Sequence, residues 1–231
     1  IFSTKLGNIE ISSLGDVIRQ ATSILCGTSW QSDIELNAIQ LARSFGIRSI
    51  AFLDHWSNYR DRFIRMNETF LPDEIWVGDA EAATMAKSIF PDLPITLVDN
   101  PYVQDIQQEV MAIQSRRIPS LDSATILYVC EPISEHALKR YGNAKLWGYD
   151  EYEALRYFLA NISSVTKSVE RILIRPHPSE SAGKYNWIYD EFDLPIKMGG
   201  TRTLLEEILD SDFVVGCESM AMVIGLIVGK K

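Results

Sequence analysis

Cysteine and histidine are scarce in this chain of 231 residues, three of each, and the scarcity narrows its chemistry. Cys26, Cys130 and Cys217 lie far apart, with neither a CxxC pair nor Cys/His ligand spacing. This argues against a zinc site and a disulfide framework, and predicts a reduced, cytoplasmic setting. Long apolar runs are missing too. The longest uncharged one, Ser219 to Gly229 (SMAMVIGLIVG), is shorter than the about 20 residues a membrane span needs. The N-terminus also lacks the basic-then-apolar pattern of a signal peptide. No membrane span is expected, which leaves peripheral association open. Basic residues are outnumbered, 22 Lys and Arg against 31 Asp and Glu, for a formal charge of −9. Such a surface repels phosphate polymers, so nucleic acid is not expected as a partner, and any bound anion must meet a local basic spot. The chain has no internal repeat, and no DxD-like carboxylate pair sits at a strand end to hold Mg²⁺.

What the chain does have is 46% hydrophobic residues, ample for a core, in short β-type runs that alternate with segments of helical period. Strands are expected at 22–27, 49–54, 74–79 and 95–100, with a helix between the first two on Ile34, Ala38, Ile39, Leu41, Ala42 and Phe45, capped by Ser32 or Asp33. Pro101 to Ser123 changes character and reads as a link. A second series follows: strands at 124–130, 171–176, 195–199 and 213–217, a long helix over 150–168 with the stripe Leu155, Phe158, Leu159, Ile162 and Val165, a short helix at 203–210, and an apolar helix from Met220. The expected class is α/β with two Rossmann-like halves, residues 1–121 and 122–231. The chain opens on Ile, and its last helix runs into Gly-Lys-Lys with no strand after it. The expectation is a fragment cut at both ends, its opening stretch supplying one strand and one helix.

In a parallel sheet, ligands gather beyond the carboxyl ends of the strands. Residues there include Gly27, Thr28 and Ser29; Asp54 and His55; Gly78 and Asp79; Asn100; Glu131; Arg175 and His177; and Gly216, Glu218 and Ser219. In RPHPSE, 175–180, Pro176 and Pro178 steer the preceding Arg175 and His177 into extended backbone, so a cation and an imidazole are presented at little entropic cost. By itself this stretch is either one wall of an anion site or a rigid turn. In DFVVGCESMAMVIGL, 212–226, a strand runs into Ser219 at the N-cap position of the apolar helix, an anion seat or an ordinary capped turn. Glu218 beside it would repel phosphate but accept from ribose hydroxyls.

Taken together, Arg175, His177 and Pro178, then Asp212, Glu218, Ser219, Gly229 and Lys230, resemble the C-terminal half of GT-B glycosyltransferases, over roughly residues 124–231. The likeness is to the group of bacterial sialyltransferases, Kdo transferases and teichoic-acid glycerophosphotransferases. The glycerophosphotransferase turn reads Asp-Tyr-Ser-Ser where this chain has Gly216, Cys217, Glu218 and Ser219, which favours the sugar transferases.

The resemblance implies that His177 and Ser219 hold the phosphate of a nucleotide-sugar donor, with Arg175, Glu218 and Glu131 as further donor contacts and no cofactor. It also implies a base in the first half. Asp54 and His55 are the first choice, Asp79 the second and Asp33 the third. Thr28 and Ser29 of the GTSW loop, with Trp56 and Tyr59 as an apolar platform and Arg60 or Arg62 to pair an acidic sugar, are the acceptor-side candidates. The expected function is metal-independent transfer of a sugar, a CMP-linked acidic one first in order, to a bacterial surface glycan. A non-catalytic GT-B-like binding module and a sugar-nucleotide epimerase or hydrolase stay open.

Overall fold

The structure, a computed structural model, describes residues 12–29, 32–113 and 123–230. A strand in the opening stretch, Trp30 of the GTSW loop, most of the link after Ile113 and the 121/122 boundary lie outside the described residues. The chain divides into two compact units, 1–101 and 102–231.

In the first unit, α1 (Leu14–Gln20) leads into β1 (Ser23–Cys26), α2 (Ile34–Phe45) and β2 (Arg48–Leu53). The chain then forms a small antiparallel pair, β3 (Ile64–Arg65) with β4 (Glu68–Thr69), followed by β5 (Glu74–Val77), α3 (Ala80–Ile89) and β6 (Ile95–Leu97). The sheet runs β1-β2-β5-β6, all parallel. Because a right-handed crossover carries each connection to the same side, one face takes both crossover helices. Leu36 and Ile39 of α2, Ala82 and Ala86 of α3, and Tyr59 and Phe63 of the β2–β5 connection meet Ala51, Leu53, Ile75 and Val77 there. α2 begins where the Ile34 N–H bonds Ser32 Oγ at 3.2 Å, and ends on Gly46, whose φ of 68° suits a residue without Cβ. Asp33 gives the helix no side-chain cap; its carboxylate pairs with Arg65. Strand order follows chain order throughout the described strands, so the reversal of a doubly wound half does not occur among them.

The second unit takes up α4 (Pro101–Ala112), which the sequence reading assigned to the link; Ile106 is 5% exposed and sits in this unit's core. There follow β7 (Ala124–Val129), α5 (Ile133–Tyr141), α6 (Glu151–Ala160), β8 (Val169–Arg175), α7 (Ile188–Glu191), β9 (Ile196–Met198), α8 (Leu204–Leu209), β10 (Phe213–Gly216) and α9 (Met220–Ile227). The parallel sheet is ordered β10-β7-β8-β9. The chain steps from β7 to β9 in one direction, then returns to place β10 on the other side of β7.

The central strand β7 is buried at every position and feeds both faces. Ile126, Tyr128 and Cys130 pack with α6 and Tyr185; Leu127 and Val129 pack with α4, α8 and α9. α6 is shorter than the sequence stripe suggested. It stops at Ala160, where the Asn161 N–H bonds back to Tyr157 and Phe158. Ile162 and Val165 still reach the same core, from and just past a 3₁₀ turn at Ile162–Ser164. Among the described residues no helix is long and apolar enough to cross a membrane.

Candidate functional site

At the carboxyl edge of the first sheet, Arg62 is the organising residue. It is 8% exposed. Its Nη1 donates to Thr28 O at 2.7 Å, Thr28 Oγ1 at 3.1 Å and Asp54 Oδ1 at 3.2 Å, and its Nε donates to Ser57 O. This ties the loop after β1 to the loop after β2, and Thr28 Oγ1 adds a bond to Phe52 O at 3.2 Å. Arg62 therefore serves the architecture, and Asp54, with a side chain 59% exposed, keeps a carboxylate open to solvent. His55 and Trp56 are half-buried, and Ser29 is partnered.

Asp79, the second-choice base, is already committed. One oxygen caps α3 by accepting from the Ala82 N–H at 2.7 Å, and the other accepts from Trp56 Nε1 at 2.9 Å. Trp56 is thus tied to Asp79 and packs partly against the core. Arg60 turns to Ile89 O at 3.2 Å, at the C-terminal end of α3.

Two groups here were not legible in the sequence. Tyr59 is 2% exposed, yet its hydroxyl has no hydrogen-bond partner among the described residues. Burial first, then the nearby Asp79 carboxylate, pushes its pKa up. Glu35 Oε2 is likewise buried and unbonded, and its carboxyl also reaches toward Gly27 and Cys26. Nothing in the DHWSNYRDRF pattern separates a buried Tyr59 from a surface platform.

The second unit's carboxyl edge contains the reversal between β7 and β10, the place where a parallel sheet opens a crevice. The three strand tips are level, with Val129 paired to Gly216 on one side and to Arg175 on the other. A Cβ on Gly216 would stand 3.0 Å from Val129 O, tighter than an ordinary contact, so glycine eases the approach of β10 here. Gly216→Ala is expected to lower stability by about 1–3 kcal/mol, read as a drop in the urea midpoint, because the paired Val129 backbone would have to give by a few tenths of an ångström.

Beyond the tip of β10, Cys217 is half-buried with Tyr128 and Tyr149 against it. Burial pushes the Cys217 thiol up, with the Glu218 and Glu131 carboxylates adding to the shift while the two tyrosines oppose it. A deprotonated, nucleophilic cysteine is therefore not what this edge provides. Ser219 caps α9 as its position predicts, Oγ accepting from the Ala221 N–H at 3.3 Å. Glu218 is exposed, and Glu131 is half-buried after β7. The other resembling positions are tied into the frame. Asp212 exchanges backbone and side-chain bonds with Thr125, and Lys230 Nζ donates to Leu209 O.

Beyond β8, Arg175 and His177 take different roles. Arg175 Nη1 bonds Glu207 Oε2 at 2.5 Å and Arg202 O at 3.1 Å, and the Glu207 side chain is only 2% exposed. Much of its charge is spent on a buried carboxylate, which also accepts from the Gly200 N–H. His177 is half-buried. Its Nδ1 accepts from the Ser179 N–H at 3.2 Å and lies 2.7 Å from Ser179 Oγ. An accepting Nδ1 leaves the proton of the neutral ring on Nε2, as a donor.

The His177 backbone is held from below. Its N–H donates to Glu180 Oε2 at 2.7 Å, and the Glu180 N–H returns to His177 O at 2.9 Å. Glu180 Oε1 accepts from Tyr185 Oη at 2.7 Å and Lys184 Nζ at 2.9 Å, and Lys184 also donates to Glu151 Oε1 at 2.6 Å. Glu151 in turn accepts both donors of Ser134, at the start of α5. The signal for this lay in the sequence, since a Glu three residues past the backbone N–H it accepts from is the spacing of a capping box. Lys184 and Glu151 carried no such mark. Among the described residues no group of three or more His, Cys, Asp and Glu side chains is arranged to hold a metal ion. Comparison with protein-family models and with curated proteins finds no match.

Proposed function

We propose that this chain is a metal-independent glycosyltransferase of GT-B type, with the nucleotide-sugar donor on the carboxyl edge of the second unit and the acceptor on that of the first. One observation carries the reading. The strand reversal at β7 and β10 and the RPHP and Ser219 turns, remote in sequence, fall on one edge of one sheet. His177 Nε2 donates to the donor phosphate, and the positive end of the α9 dipole adds its partial charge. Glu218 and Glu131 accept from ribose hydroxyls. Arg175 acts through Glu207, fixing the strand end from which His177 projects, rather than by meeting the phosphate itself.

Asp54 and His55 are the base candidates of the first unit. Asp54 keeps its carboxylate accessible while Asp79 is held by two donors. The displaced nucleotide leaves with the phosphate charge stabilised, and the acceptor proton passes to the base. The sugar is a CMP-linked acidic one in first order, with UDP- and GDP-sugars next.

The test is nucleotide release from a panel of CMP-, UDP- and GDP-sugars with glycan acceptors. One donor is expected to turn over, and Asp54→Asn or His55→Ala to lower its kcat by about 10²–10⁴-fold. The commitment of Asp79 favours a second reading, a nucleotide-binding module without turnover. Tight nucleotide binding with no release from any donor would select it.

A further inference from the structure

Large apolar side chains gather in water at the end of α5 and on the loop that follows it. Leu138, Tyr141, Leu146 and Trp147 fall within ten residues, and each is 42–55% exposed. Leu138 and Tyr141, three apart on the helix, share one side of it. Trp147 comes back onto that side, its ring 6.0 Å from the Tyr141 ring at an interplanar angle of 89°. The loop has a fixed shape. Gly142 ends α5 at a φ of 71° with its N–H on Leu138 O, the Lys145 N–H bonds Asn143 Oδ1 at 3.0 Å, the Gly148 N–H bonds Lys145 O at 3.0 Å, and Lys145 Nζ reaches Glu153 at 2.7 Å. Single exposed apolar residues are ordinary, but a cluster held in place marks a docking face. Tyr149, two residues past Trp147, lies against Cys217 beyond the tip of β10, so the cluster belongs to the carboxyl-edge end of the unit.

We infer that this cluster docks the second unit on an anionic lipid surface. The charge around it selects that partner. Residues 136–149 hold three basic side chains, Lys139, Arg140 and Lys145, and no acidic one, in a chain where acidic residues outnumber basic ones 31 to 22. The flanking carboxylates face cations: Asp150 and Glu153 meet Lys145, and Glu135 lies 3.5 Å from Lys184. Arg140 stands over the Tyr141 ring, 5.3 Å from its centroid, and has a further interaction of its own, so the exposed Lys139 is the cation to test.

Leucine, tryptophan and tyrosine beside lysine is the make-up of an interfacial element, with leucine in the acyl boundary, the amphipathic rings at headgroup level and the ammonium on lipid phosphate. A second copy fits less well, because a two-fold contact would set Lys139 and Arg140 against their own counterparts. A sugar chain would stack on the rings and leave both leucines in water. The net charge of −9 repels an anionic surface from elsewhere on the chain, but screening within about 10 Å lets the local charge decide at contact. The inference does not rest on the donor reading.

Flotation with vesicles of phosphatidylcholine alone, and of phosphatidylcholine with phosphatidylglycerol, provides the test. The protein is expected to float with the anionic vesicles, less so as salt rises, and to bind the neutral ones weakly. Lys139→Gln is expected to weaken binding to the anionic vesicles about fivefold, while Lys167→Gln, at an exposed lysine just before β8, leaves it unchanged. Leu138→Ser with Trp147→Ser is expected to weaken it about tenfold or more. Both side chains are exposed, so the thermal midpoint should hold; if it falls, Leu138→Ser alone serves as the second variant.

No flotation with either vesicle overturns the inference, as does unchanged flotation of the serine variants. Equal binding to neutral and anionic vesicles, or an equal loss in Lys139→Gln and Lys167→Gln, removes the charge-selected partner and overturns it too. A dimer that the serine variants dissociate, with no lipid binding by the wild type, would assign the cluster to a second copy instead.

Discussion

Lys184→Met is expected to destabilise the second unit by about 3–5 kcal/mol, a fall of roughly 10–15 °C in its thermal midpoint. The side chains involved are almost fully enclosed, Lys184 at 7% exposure, Glu151 at 4% and Glu180 at 0%. One ammonium faces three carboxylates, the exposed Glu135 at 3.5 Å and the enclosed Glu151 and Glu180, so its removal strands two buried charges rather than one.

Burial pushes the Glu151 carboxyl up, but the Lys184 ammonium and the Ser134 donors outweigh it and hold the group below its ordinary value. A depressed carboxyl contributes stability that is present above its unfolded pKa and is lost as pH falls through the folded one. Without Lys184 only the Ser134 donors and the backbone oppose burial and the Glu151 carboxyl rises, so acid relieves the variant while it weakens the wild type. Urea melts from pH 7 down to about pH 4 are expected to show the gap between the two proteins narrowing. A gap that stays constant would mean that the ammonium is not what holds the Glu151 carboxyl below its ordinary value. Adding Glu151→Gln to Lys184→Met is expected to recover part of the loss at pH 7.

The network's place under His177 links this stability to function. Glu180 holds the His177 N–H and Lys184 holds Glu180, so loosening the cluster also loosens the backbone that aims the imidazole. Stability and ligand affinity are therefore expected to fall together in Lys184→Met, and to separate in His177→Ala, which keeps the N–H bond to Glu180.

How much of this was legible depended on distance along the chain. The eight main strands were readable because each is a short apolar run bounded by polar turns, and their observed ends lie within three residues of the expected ones. Residues acting through local chemistry were readable as well, and Ser219 caps α9 where its spacing put it. The strand order was not, since nothing in 124–217 marks that β10 returns beside β7 rather than extending beyond β9. Roles set by distant partners were equally hidden. Arg175 looked like a phosphate ligand until Glu207, 32 residues on, took its guanidinium. Asp79 looked like a free carboxylate until Trp56 reached it from 23 residues away. α4 read as a link because its polar exterior outweighs the apolar side that Ile106 buries.

His177→Ala has the largest expected effect on ligand binding. The ring contacts Ser179 and His136 without entering the core, so the variant is expected to fold with a thermal midpoint near that of the wild type. A nucleotide at about a hundred times its Kd adds about 2.7 kcal/mol to a protein that binds it only when native, an upward shift easily read by differential scanning fluorimetry. The decisive measurement is that shift for CMP, CDP, UDP and GDP on wild type and His177→Ala side by side. The imidazole at 177 as the seat of a nucleotide phosphate predicts that one nucleotide stabilises the wild type and leaves the variant unmoved. Equal shifts in both proteins, or no shift from any nucleotide in the wild type, would contradict it.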